Sequence, residues 1–197
     1  MAVHPSVRVH PLAVVDDCEI GPDTRIWAFA HVLKGAQIGA RCNLGEGVFV
    51  EGGVVIGDEC TIKNGIAIYD GVRLGNRVFV GPHAVFTNVD RPRAGRRTDP
   101  SRYGRTVVGD GATIGANATI RCGVTIGPAA FVGAGAVVVR DVPAHALVVG
   151  NPARQRGWVC ECAATLDRAL SCPECGARYQ EAPGGLTPQP PQAVVGR

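Results

Sequence analysis

Aromatic residues make up only 5% of the 197-residue chain, and methionine occurs once. A core built on stacked rings is therefore excluded. Charged residues are 19% and the net charge is +3, too small an excess to suggest a nucleic-acid surface. No window holds the long uncharged apolar run that a membrane-spanning helix needs. The opening segment MAVHPSVRVHPLAVV lacks a signal-peptide core, so the expectation is a cytoplasmic protein with no membrane partner. What the chain does have is glycine, 27 residues, and a 46% apolar content that is largely aliphatic. Aliphatic cores with regularly spaced glycine point to a solenoid.

The repeat is read by stepping six residues at a time from Val14. The step meets Ile20, Ile26, Val32, Ile38, Leu44, Val50, Ile56, Ile62, Ile68, Leu74, Val80 and Phe86. One step earlier lies Arg8, so this frame does not reach the N-terminus. The frame resumes, offset, at Val108, Ile114, Ile120, Ile126, Val132 and Val138. A period of six does not fit a helix, whose apolar period is about 3.6. It describes a short strand followed by a corner, with three strands closing one triangular coil. Gly21, Gly39, Gly57 and Gly75 repeat at eighteen residues, the length of such a coil. Glycine suits a corner that needs positive φ or close backbone approach. Cys18, Cys42 and Cys60 read as small inward fillers, since free cysteine behaves as a small buried hydrophobe.

Residues 87–107 interrupt the repeat with a polar loop carrying Arg91, Arg93, Arg96, Arg97, Arg102 and Arg105. Guanidinium groups bind phosphate or carboxylate in bidentate fashion, and Arg91 and Arg93 lie nearest the body. Asn88 follows Asp70 by eighteen residues, and Thr87 follows Tyr69 by the same step. Asp70 and Asn88 should therefore share a corner in successive coils, about 4.8 Å apart along the axis. With Tyr69 and the loop they form a candidate polar pocket.

The strings VHP, RIWAFAHV, IYDGV, VFVGPHAVFTNVDRPRA, GATIGANATIRCGVTIG, AFVGAGAVVVRDVP and GNPARQRGW carry a resemblance. From His4 to Trp158 the chain resembles the hexapeptide-repeat nucleotide-sugar N-acetyltransferases. It is most like those acting on UDP-2-acetamido-3-amino-2,3-dideoxy-glucuronate, and is similar to enzymes that acetylate dTDP-3-amino-3,6-dideoxyhexoses. The resemblance implies an all-β, left-handed parallel β-helix over residues 1–157 that assembles as a homotrimer, with active sites in the grooves between neighbouring prisms. It also implies acetyl-CoA as donor and a nucleotide-linked 3-amino sugar as acceptor in surface-glycan (lipopolysaccharide) biosynthesis. Asn88 and Asp70 would be catalytic; Lys63, Asn64, Tyr69, Arg91 and Arg93 would bind the acceptor. Gly133 and Ala134 would line the pantetheine arm, and Asn151 and Arg154 would lie near the CoA phosphates. His31 and His83 are the body histidines placed to compete as bases. Ala28 stands where relatives often carry histidine.

Near the C-terminus, Cys160 and Cys162 are followed by Cys172 and Cys175 in WVCECAATLDRALSCPECGARY. CPECG has the spacing of a zinc knuckle, whereas C-x-C is tighter and Ala163 stands in the glycine position. Four thiolates close a tetrahedral Zn2+ site with no open position, so its role would be structural. The expected appendage covers 158–180, and the Pro/Gly-rich segment 181–197 is expected to be disordered. Three alternatives to acetyl transfer are a carbonic-anhydrase-like site, a scaffold binding a partner through the zinc tail, and transfer of another acyl group. The first needs two histidines five residues apart, a spacing absent here.

Overall fold

The computed structural model describes residues 3–96 and 98–190. The body is the left-handed parallel β-helix expected from the sequence, about eight coils long. Most strands are two residues long. In most of them one residue points outward and the next, usually a branched aliphatic, points inward. This is the two-residue alternation of a pleated strand. Phe49–Val50 shows it: Phe49 is partly exposed and Val50 fully buried.

The strands line three faces. Face I begins with Arg8–Val9, Arg25–Ile26, Asn43–Leu44, Thr61–Ile62 and Phe79–Val80, and runs up to Ala146–Val149. Face II holds Val14–Val15, His31–Val32, Phe49–Val50 and Ala67–Ile68, then Val85–Phe86, Thr119–Ile120 and Val137–Val138. Its backbone ladder is interrupted between Ala67–Ile68 and Val85–Phe86, although these strands remain in contact. Face III runs from Glu19–Ile20 to Thr125–Ile126. Register steps by eighteen residues, as in Arg25↔Asn43 and Asn43↔Thr61.

The first coil is one residue shorter: Arg8 pairs with Arg25, and Val14 with His31. The inward ladder therefore continues through Val15 rather than Val14, whose exposure is 52%. A one-residue change exchanges the faces of a strand, which corrects the frame read from the sequence. The arginine-rich loop is also shorter than read, because Thr106–Val108 is a face III strand paired with Val72–Leu74.

Burying each branched side chain of the ladder is worth about 2 kcal/mol. Cys18, Cys42 and Cys60 fill inward slots as expected. The hydrogen bond with Cys42, then burial, pushes the Cys60 thiol above its ordinary value. Corner glycines serve close approach: a Cβ on Gly21 would meet the Ala40 nitrogen at 2.7 Å. Positive φ falls two residues later, at Asp23, Arg41, Glu59 and Arg77.

Arg154–Trp158 turns back antiparallel on Ala146–Val149 and ends the solenoid. A small second core follows, built from Cys160, Leu166, Cys172, Tyr179 and Leu186. Residues expected to be disordered are partly ordered: Tyr179–Ala182 and Gly185–Pro188 pair as a hairpin. Its Gly184 oxygen accepts from the Ala144 amide, so the hairpin caps the last coil. Residues 191–197 lie outside the described residues. Among the described residues no helix is long and apolar enough to cross a membrane.

Candidate functional site

The residues singled out from the sequence fall on two edges that bound face II. The edge between faces I and II carries Lys63, Asn64, Gly133 and Ala134, and Asn151 follows the last face I strand. The edge between faces II and III carries Tyr69, Asp70, Asn88 and the loop with Arg91 and Arg93. Asn64 and Tyr69 are five residues apart across the strand Ala67–Ile68, about 16 Å of extended chain. One copy of the chain thus holds Asp70 and Asn88 on one edge and keeps Lys63 and Asn64 on another. Gly133 is buried against Val149, while Ala134, Asn151 and Arg154 are exposed.

On the II–III edge the Asp70 amide donates to Glu51 Oε2 at 2.8 Å. Glu51 was not singled out from the sequence; the eighteen-residue step back from Tyr69 reaches it. The Tyr69 ring lies 6.3 Å from Phe49, which meets His31 edge-on at 5.9 Å. His31 Nε2 is 3.6 Å from Asp16, so this histidine faces away from the loop-bearing coil. His83 sits instead on the I–II edge, above Gly65.

The loop is fastened at its base. The Gly104 amide donates to the Asn88 oxygen at 2.9 Å, and the Cys122 amide donates to Thr87 Oγ1 at 2.9 Å. Arg121 Nε donates to Asp90 Oδ1 at 2.7 Å, which holds the Asp90 carboxyl below the usual carboxylate range. Asp99 caps the short helical turn Pro100–Arg102 through the Ser101 amide. The folded loop encloses a concavity of about 690 Å³ lined by Arg91, Arg93, Arg96 and Arg102. The arginines expected to meet phosphate thus converge, joined by Arg96 and Arg102. Arg121 escaped sequence reading because its partner is 31 residues away.

A second hollow of about 310 Å³ lies on the I–II edge, between His10, Trp27, Asn43, Glu46, Lys63 and Asn64. Trp27 Nε1 donates to Asn43 Oδ1 at 2.9 Å. Nothing in the repeat pattern marks Trp27 except its bulk at an outward position.

The four tail cysteines converge, with their sulfurs all within 4.8 Å of one another. Cys160 and Cys175 sulfurs are 3.4 Å apart, and those of Cys162 and Cys172 are 3.5 Å apart. A tetrahedral Zn–S bond of about 2.3 Å places sulfurs about 3.8 Å apart, so the cluster fits zinc. The Cys175 amide points at Cys172 Sγ and lowers that thiol to about 6, favouring the ligating thiolate. Ala163 and Gly176 follow the two cysteine pairs with φ of 71° and 74°. Both pairs therefore form knuckle turns, with Ala163 carrying the strain that Gly176 avoids. Tyr179 links cluster and body: its hydroxyl meets Cys160 Sγ at 3.1 Å and its ring packs 4.8 Å from His145.

The bacterial transferase hexapeptide model (six repeats) matches residues 17–52, 53–88 and 105–140. The chain is 49% identical, over 89% of its length and 92% of the relative's, to dTDP-3-amino-3,6-dideoxy-alpha-D-galactopyranose 3-N-acetyltransferase of Aneurinibacillus thermoaerophilus. That relative's name carries a dTDP sugar, not the UDP-linked glucuronate to which the motifs were most like. Among solved structures, the acetyltransferase domain of PglB from Neisseria gonorrhoeae FA1090 matches at 26% identity and TM-score 0.53. The match covers 76% of this chain and 57% of that one. UDP-N-acetylglucosamine acyltransferase of Campylobacter jejuni shares the fold at 20% identity and TM-score 0.51, over 77% of this chain and 75% of that one. The chain belongs to the bacterial hexapeptide-repeat transferases and is an acetyltransferase of that family.

Proposed function

We propose that the protein transfers the acetyl group of acetyl-CoA to the 3-amino group of a dTDP-linked 3-amino-3,6-dideoxyhexose, and does so as a homotrimer. The name of the Aneurinibacillus relative supports the acceptor and the reaction. The observation that carries the assembly is the division of the site residues between the two edges of face II. Outward positions on that face are Val14, His31, Phe49, Ala67, Val85, Thr119 and Val137. Face I presents Arg8, Arg25, Asn43, Thr61 and Phe79 over its first five coils, and face III presents Glu19, Gln37, Val55, Arg73, Val107 and Thr125, whereas His31 is the one ionisable group among the outward positions of face II. The apolar face is the one suited to turn toward a three-fold axis. A cyclic trimer built that way sets the I–II edge of one copy beside the II–III edge of the next.

In that seam Tyr69, Asp70 and Asn88 of one copy meet Lys63, Asn64, Gly133 and Ala134 of its neighbour. The neutral sugar amine attacks the thioester carbonyl, a tetrahedral oxyanion forms, and the CoA thiolate leaves. Holding amine and thioester together supplies much of the acceleration. Asn88 orients the amine or the oxyanion through its amide, since an amide has no useful titration. Asp70, its backbone fixed by Glu51 and its carboxylate over Gly53 in the coil on the N-terminal side, is the group assigned to accept the amine proton. The loop arginines supply positive charge for the acceptor's diphosphate, and Asn151 and Arg154 for the CoA phosphates. The cysteine cluster holds a structural zinc. A cytoplasmic location suits an acetyl-CoA enzyme whose eight cysteines form no disulfide.

The test follows thiol release from acetyl-CoA over a panel of dTDP- and UDP-linked amino sugars. Saturable turnover with a dTDP-3-amino-3,6-dideoxyhexose is expected. Turnover confined to 4-amino sugars, or none with any of them, contradicts the reading.

A further inference from the structure

Trp27 has no part in the chemistry above, yet its setting is unusual. It is one of two tryptophans in the chain, it is 49% exposed, and its indole N–H is pinned to Asn43. A tryptophan held for packing alone buries its ring; this one satisfies its polar edge and leaves apolar surface open. It lines both the hollow with Lys63 and Asn64 and an adjoining hollow of about 310 Å³ with Arg8, His10 and Arg25.

Its level along the axis is informative. Trp27 follows Arg25–Ile26, and face I then stacks Asn43–Leu44, Thr61–Ile62 and Phe79–Val80 in successive coils. The last of these belongs to the coil whose II–III edge carries Asn88. Three coil spacings of about 4.8 Å put Trp27 about 14 Å toward the N-terminus from the proposed amine position. That matches the reach of an extended ribose diphosphate between a base and its hexose. Lys63 and Asn64 lie on the same edge between the two levels, where the diphosphate would pass. Gly133 and Ala134 lie on the opposite side, toward the C-terminus.

We propose that Trp27 is the stacking platform for the nucleobase of the acceptor, a claim that rests on the acceptor being a nucleotide sugar. The base lies on the indole face, and Asn43, its oxygen occupied by Trp27, has its amide hydrogens to offer a pyrimidine carbonyl. Acceptor and donor then enter the seam from opposite ends and meet at the loop-bearing coil.

The Trp158→Phe variant leaves Trp27 as the single tryptophan, which is excited selectively beyond the tyrosine absorption band. Titration with dTDP is expected to quench it saturably, whereas inorganic pyrophosphate leaves it unchanged. In otherwise wild-type protein, Trp27→Ala is expected to raise KM for the amino sugar about tenfold or more. The KM for acetyl-CoA stays put, and Trp27→Phe recovers most of the loss. No quenching by dTDP, or an unchanged amino-sugar KM in Trp27→Ala, overturns the proposal. So does loss of the trimer in Trp27→Ala with dTDP affinity intact, which would make Trp27 a subunit contact. Quenching by dTDP without acetylation of any amino sugar sinks the proposed reaction and keeps the base site. Acetylation with a silent Trp27 does the reverse.

Discussion

Asn88 and Asp70 are eighteen residues apart in sequence and one coil apart on a single edge, because each coil returns the chain to the same corner. Neither side chain is buried, and Asn88 also anchors the loop through its backbone oxygen. Removing its side chain leaves that anchor in place. Asn88→Ala should therefore keep fold and assembly while turnover falls by about 10²-fold, the usual cost of one oxyanion or orienting donor. Steady-state thiol release with size-exclusion chromatography checks both halves; near-wild-type turnover would remove Asn88 from the mechanism. At this scale the sequence was legible wherever the period held. It misled at Val14, because a corner one residue short between Val15 and Glu19 puts the strands before it on the other frame. Trp27 and Glu51 were invisible because an outward residue takes its meaning from neighbours one coil away, not from the pattern.

Among the elements, the two-residue strands, the interrupting loop and the cysteine tail were readable from spacing, whereas the folding of the loop and the order beyond Arg178 were not. The loop's arginines converge through the Arg121–Asp90 ion pair and the Asp99-capped turn, contacts that no periodicity announces. The segment after Arg178 looked too rich in Pro and Gly to order. Its strands nevertheless pair through Tyr179–Ala182 and Gly185–Pro188, and Tyr179 wedges between His145 and Cys160. Order here comes from docking on the cysteine cluster and the last coil, not from local propensity. Elemental analysis of purified, reduced protein should find about one zinc per chain. Cys172→Ser should lose the metal and the hydrogen-exchange protection of residues 158–188, since structural metal binding is folding energy. A metal-free sample with that segment fully protected would contradict the assignment.

For the whole molecule, the solenoid solves a geometric problem that a single copy leaves open. Each edge of face II carries half of the proposed site, and in the proposed trimer the next copy brings the other half. The fold and the reaction class were legible from repeat and motifs. The groove between neighbouring prisms was implied by the resemblance alone, because no linear spacing records which face is left apolar after the coils close. The direct measurement is subunit complementation between Asn88→Ala, on one edge, and Ala134→Trp, which blocks the donor arm on the other. Each variant alone should retain about a hundredth of wild-type turnover or less. Random mixed trimers should regain about a quarter of wild-type turnover, because one seam in four joins two intact halves. Mixed trimers that stay at the single-variant level, while wild-type trimers treated the same way recover, would show that each copy carries its own complete site.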